Sequence, residues 1–80
     1  MKNMKFKIES PEHSEAIQKE LFRLGYFWRH SSTKIINLMS SYIITKGGRI
    51  FWSDSSYVYN SINSTETTLE ELKLMQNESK

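Results

Sequence analysis

The chain has no cysteine, one proline and three glycines in 80 residues. Without cysteine there is no disulfide framework and no thiolate metal site, which suits a reducing compartment. No segment approaches the ~20 apolar residues of a membrane-spanning helix. Met1–Lys7 has no apolar run of signal-peptide length. The expectation is a cytoplasmic protein with no membrane partner. Acidic residues are missing from the middle of the chain. Between Leu21 and Ser53 stand Arg23, Arg29, Lys34, Lys46 and Arg49 and no acid, whereas Asp54, Glu66, Glu70, Glu71 and Glu78 follow. The net charge of +2 hides this basic block and acidic tail. A basic block attracts polyanions or an acidic partner surface, unless it is simply a solvated face.

Eighty residues make one domain, 1–80, with a modest core and a stability near the low end of about 5–15 kcal/mol. Ten aromatic rings help fill that core, each able to bury about 150–250 Å².

The pivotal stretch is Leu21–His30. It reads as a last helical turn, a glycine stop at Gly25, and a strand that begins at once. Before it, Met4, Phe6 and Ile8 alternate with Lys5 and Lys7 as a half-buried strand. Ser10 is a helix cap and Pro11 suits the first helical position, predicting a helix from Pro11 to about Leu24. Its apolar stripe is Ala16, Ile17, Leu21 and Leu24, with Phe22 at the margin. A strand over Tyr26–His30, a polar turn at 31–33, and a connection over Lys34–Ser40 without clean period follow. Strands at Tyr42–Thr45 and Arg49–Ser53 flank the hairpin signal Gly47–Gly48. Tyr57, Val58, Tyr59 and Ile62 form a short apolar piece covering a core edge. Thr68 and Glu71 form a capping box for a short helix from Leu69 to about Met75, docked by Leu69, Leu72 and Met75, with fraying expected over 75–80. The fold class is α+β: a small antiparallel sheet of three to five strands, one long helix on one face, and a short C-terminal helix, in the order β-α-β-β-β-α.

Alternation then divides the sheet. Phe6, Ile8, Tyr26, Trp28, Tyr42, Ile44, Ile50 and Trp52 are expected toward the long helix. The other face receives Lys5, Lys7, Phe27, Arg29, Ile43, Thr45, Arg49, Phe51 and Ser53, with no acid. The candidate binding residues are Lys5, Lys7, Phe27, Arg29, Lys46, Arg49 and Phe51. Cations neutralise phosphates and flat rings stack on unpaired bases, so single-stranded RNA is one occupant. A partner protein or a second copy in a homodimer is another, because apolar patches mark interaction more often than chemistry. In a third reading Phe27, Ile43 and Phe51 are plain core.

Nothing singles out a catalytic set. His13 and His30 lack a carboxylate cluster or metal-ligand spacing, and Gly47–Gly48 lacks the rest of a phosphate loop. No cofactor and no enzymatic activity are expected. An enzyme acting on a small nucleotide would need Asp54 or His30 inside a pocket.

Leu21–Phe22–x–Leu24–Gly25–Tyr26–x–Trp28, Ser41–Tyr42–Ile43–Ile44, Gly48–Arg49–Ile50–Phe51–Trp52 and Thr68–Leu69–Glu70–Glu71–Leu72 together resemble small early proteins of tailed, T4-like bacteriophages, over most of residues 4–74. The resemblance implies a non-catalytic protein that disables or redirects host machinery, including defence systems and toxin–antitoxin pairs, in the host cytoplasm. The chain departs from that pattern at Phe27, where a polar residue is expected, which favours a contact there. The leading expectation is inhibition of a host or defence-system protein through the basic, aromatic face. The alternative is single-stranded RNA binding, including action on a toxin–antitoxin ribonucleoprotein.

Overall fold

Ser10, Pro11 and Gly25 bound the longest helix as their chemistry dictates. In the computed structural model, which describes residues 1–30 and 32–76, α1 spans Pro11–Arg23. Ser10 is extended, and its Oγ accepts from the His13 N–H at 3.0 Å. The His13 Nδ1 in turn accepts from the Glu9 N–H at 3.1 Å, so this histidine is part of the cap. At the other end Gly25 takes φ +96°. Its N–H donates to Phe22 and that of Tyr26 to Leu21, both near 3 Å. This is the paired-bond helix stop that a left-handed residue permits.

Four strands precede or follow α1 in the main sheet: β1 (Met4–Lys7), β2 (Phe27–Trp28), β3 (Tyr42–Lys46) and β4 (Arg49–Ser53). After them come α2 (Ser56–Ser61), β5 (Thr65–Glu66) and α3 (Leu69–Lys73). The sheet order is β2-β4-β3-β1-β5. The α+β class holds, but the sheet is mixed rather than antiparallel. β1, β3 and β4 form an antiparallel meander, while β2 runs parallel to β4 and β5 parallel to β1.

The parallel outer strands follow from the two helical crossovers. α1 carries the chain from β1 leftward to β2, and α2 carries it from β4 rightward to β5. Crossovers between parallel strands share one hand. Two that travel in opposite directions along one sheet therefore place their helices on opposite faces. The contacts agree: α1 packs with Phe6, Trp28, Ile43 and Ile50 in the core, whereas Tyr59 of α2 stacks on Tyr42.

β3 corrects the expected division of faces. Gly47 and Gly48 both have positive φ (+61° and +83°), the two-residue hairpin geometry that suits strand twist. That turn pairs Lys46 with Arg49, hence Thr45 with Ile50, Ile44 with Phe51 and Ile43 with Trp52. Partners across a ladder share a face. Ile43 and Thr45 thus join the helix side, and Tyr42 and Ile44 the other side, opposite to expectation. The buried Thr45 hydroxyl accepts from the Met4 N–H at 2.8 Å and donates to the Lys2 carbonyl at 3.3 Å, which makes a polar core position tolerable.

Other differences are local. β2 is two residues long, not Tyr26–His30, because Trp28 is already bridged to Ser32 by its N–H at 2.8 Å. Helix α2 forms where a turn was expected, and β5 was not anticipated. The buried side of α1 is Ser14, Ile17, Gln18 and Leu21, with Ala16 at its margin. Helix α3 docks on α1 through Leu72. Arg23, in the last turn of α1, donates to the carbonyls of Leu72, Lys73 and Met75, the unpaired end of α3. Met75 packs on the core rather than fraying; the rest of the expected frayed tail, apart from Gln76, lies outside the described residues. No helix among the described residues is long and apolar enough to cross a membrane.

The connection 34–40 does pack down, and Gln18 holds it. The Gln18 Nε2 donates to the Ile36 carbonyl at 2.6 Å and its Oε1 accepts from the Ile36 N–H at 3.0 Å. A fully buried amide thus imitates one rung of a ladder and seats Ile36 against the core. Gln18→Ala strands both Ile36 groups and is expected to cost roughly 2–3 kcal/mol, read from urea unfolding; a loss below about 0.5 kcal/mol would show that the connection is held elsewhere.

Candidate binding face

The ladder register builds the face away from α1 in three rows. One row is Lys7, Tyr42 and Ser53; the next is Lys5, Ile44 and Phe51; the last is Lys46, Arg49 and Phe27. The first two rows run from β1 to β4, and the last reaches β2. Helix α2 covers only part of this surface. Its N-cap is Ser55, whose hydroxyl accepts from the Val58 N–H at 3.2 Å, and its one buried residue is Tyr59.

Tyr59 closes the β1–β3 half. Its ring stacks on Tyr42 with centroids 4.7 Å apart. The Lys5 Nζ lies 4.5 Å from the ring centroid and donates to the Tyr59 carbonyl at 2.7 Å. The Lys7 Nζ lies 5.6 Å from the same centroid and 3.8 Å from Glu66 of β5. The Tyr59 hydroxyl donates to the Glu66 carboxylate at 2.8 Å. The result buries Ile44 to 2 % exposure. Lys5 and Lys7, expected at a binding surface, are thereby occupied in holding α2.

Among the described residues the β4–β2 half has no such cover. Phe27 and Phe51 are half-buried, and Arg29, Lys46 and Arg49 are exposed. The Arg49 guanidinium lies 4.6 Å from the Phe27 ring centroid, and its Nη1 donates to the Arg29 carbonyl at 3.3 Å. The Arg29 N–H donates to the Ile50 carbonyl, which continues the β2–β4 ladder by one bond. Among the described residues ion pairs join Lys7 to Glu66, Lys19 to Glu15 and Arg23 to Glu20. Arg29, Lys34, Lys46 and Arg49 have no carboxylate partner there. The structure therefore brings Phe27, Arg29, Lys46, Arg49 and Phe51 together and sets Lys5 and Lys7 apart.

Trp52 was expected in the core and is 51 % exposed. It does share the α1 face with Ile43 and Ile50, but β2 pairs with β4 only through Ile50. Trp52 lies beyond that pairing, between two shallow clefts. One includes His30 and Asn37, the other Met39 and Asp54. Asp54 also receives the Ser41 N–H at 2.8 Å. A short β2 was the missing signal: a strand that ends at Trp28 leaves β4 unflanked beyond Ile50.

The Tyr59–Glu66 contact shifts both groups. Burial first, then the hydrogen bond to Glu66, raises the Tyr59 hydroxyl above its usual value of 10.0. The hydrogen bond from Tyr59 first, then the charge of Lys7, lowers Glu66 below its usual 4.5. A raised folded-state value makes the Tyr59 contribution complete below pH 10.0 and lost above it. A lowered value makes the Glu66 contribution present above pH 4.5 and lost as acid protonates the folded carboxylate. Tyr59→Phe is expected to flatten both flanks of the stability–pH profile measured by thermal melts. Unchanged flanks would contradict the clasp.

Comparison with family models, with curated proteins and with solved structures gives no match for this chain.

Proposed function

We propose that the chain is a non-catalytic binding protein of the phage early-protein kind, which inhibits a host or defence-system protein by stoichiometric capture on the open half of its sheet. The observation that carries this reading is Arg49. Its guanidinium is already stacked on Phe27, beside Phe51 and Lys46, and has no carboxylate partner among the described residues. A side chain ordered before binding loses less entropy on binding. Arginine and aromatic rings are also where interface energy concentrates. A fitting partner presents carboxylates to Arg29, Lys46 and Arg49 and an apolar anchor to Phe27 and Phe51.

The non-catalytic part rests on where the titratable groups are used. Tyr59 and Glu66 satisfy each other, His13 caps α1, and Asp54 holds the Ser41 N–H. Each of these has a structural partner that accounts for its position; His30 lines a shallow cleft with no carboxylate beside it among the lining residues.

The same unpartnered cations beside rings favour a second reading, single-stranded RNA, with a toxin–antitoxin ribonucleoprotein as one such target. Affinity capture from host lysate, with and without nuclease, separates the two. Phe27→Ala with Arg49→Ala is expected to weaken protein capture by about 2 kcal/mol or more without changing the melting profile by more than the lost cation–π contact, about 0.5–1 kcal/mol. Undiminished capture removes this face from the account. Capture that nuclease abolishes assigns the face to RNA. Light scattering of the isolated chain reports whether a second copy already occupies it.

A further inference from the structure

The cleft on the His30 side of Trp52 holds side chains of Asn37, His30 and Trp52 that neither the fold nor the partner face uses, next to Arg29, which it shares with the partner face. We propose that it binds an unpaired adenine nucleotide, with the base on the Trp52 indole, the base edge on Asn37 and the phosphate on Arg29 and His30. The cleft has a volume of about 350 Å³, within the roughly 300–1,000 Å³ of small-molecule sites.

Each group has a reason to be free. Trp52 shares the helix side of the sheet, yet it lies past the last residue of β4 that β2 flanks. An indole 51 % exposed at that point leaves half its surface in water, and a flat base covers it by stacking, worth roughly five- to 150-fold in affinity. Among the described residues Asn37 is the one other than glycine with positive φ, +56°. Its carbonyl accepts from both the N–H and the hydroxyl of Ser40, which fixes the backbone. Its side-chain amide makes no hydrogen bond among the described residues. A carboxamide with no partner of its own offers a donor and an acceptor side by side, the pattern that matches the N6 and N7 edge of adenine.

The charge fits as well. Arg29 has no carboxylate partner among the described residues, and an imidazole in either neutral form keeps one N–H donor for a phosphate oxygen. Lys34, Lys46 and Arg49 lie in the same acid-free stretch of chain and likewise lack carboxylate partners. They supply further phosphate contacts if the nucleotide belongs to a strand. Asp54, the acid nearest in sequence to Trp52, lines the opposite cleft and is engaged with the Ser41 N–H.

Both Trp28 and Trp52 emit, but Trp28 is 1 % exposed and Trp52 half exposed, so quenching by a stacked base reports on Trp52. The wild-type chain is titrated at low salt with AMP, with a short oligoadenylate, with a short oligouridylate and with polyglutamate. Quenching by AMP and oligoadenylate, weaker with oligouridylate and absent with polyglutamate, is the expected result. Equal affinities for AMP and oligoadenylate identify a free nucleotide as the ligand; a tighter, steeply salt-dependent oligoadenylate identifies a single strand. Asn37→Gly keeps the positive φ accessible and removes the amide, so adenylate affinity should fall roughly five- to 150-fold while the melting profile holds. No quenching at low salt, equal quenching by polyglutamate, or unchanged adenylate affinity in Asn37→Gly overturns the assignment. The Phe27→Ala, Arg49→Ala chain should still bind AMP, so failure of the partner face and failure of this cleft are separate results.

Discussion

The pairing of Lys46 with Arg49 across Gly47–Gly48 governs the rest of the molecule. Two positive-φ glycines close the hairpin, and the closure fixes which side chains of β3 and β4 share a face. A shift of one residue would send Ile43 and Thr45 away from α1 and bring Tyr42 and Ile44 against it. It would also separate Arg49 from Lys46 and Ile44 from Phe51. The core and the candidate binding face are therefore two consequences of one turn.

The second constraint is that a sheet with apolar residues on both sides needs two covers. α1 with α3 supplies one, and the crossover through α2 supplies the other on the opposite face. The second cover is small. A helix of six residues reaches over Tyr42 and Ile44 through Tyr59 and stops there. Tyr59 is engaged at every part: the ring by two ammonium groups, the carbonyl by Lys5 and the hydroxyl by Glu66. The basic residues near β1 thus serve the fold, and among the described residues those near β2 and β4 are left without carboxylate partners. That division turns a uniformly basic, aromatic face into a closed half and an open half.

Much of this was legible in the sequence, and the failures have physical causes. The helix ends were readable because Ser10, Pro11 and Gly25 each act within one turn of chain. The capping box at Thr68 and Glu71 is present for the same reason. Phe27, Arg49 and Phe51 lie on the side that alternation predicts because β4 keeps its period over Arg49–Ser53 and Phe27 falls within the two residues of β2 that pair with it. β3 was misassigned because Tyr42, Ile43 and Ile44 are all apolar and show no alternation; the two-residue turn held the answer, since it pairs Thr45 with Ile50. Helix α2 escaped notice because Tyr57, Val58 and Tyr59 are weak helix formers held by tertiary contact. β5 escaped because Thr65 and Glu66 are exposed and pair through backbone alone. Gln18 could not be read as a core residue, because its partners lie 18 positions away on Ile36.

The outer face is half closed by α2, and its other half is open among the described residues. The chain has no cysteine, so single cysteines at Ile44, Phe27 and Phe51 report on it directly through their rates of reaction with a thiol reagent. Prompt labelling is expected at positions 27 and 51 and, at position 44, labelling limited by opening of α2. Equal labelling at all three positions, or protection of 27 and 51 in the isolated monomer, would contradict this division of the face.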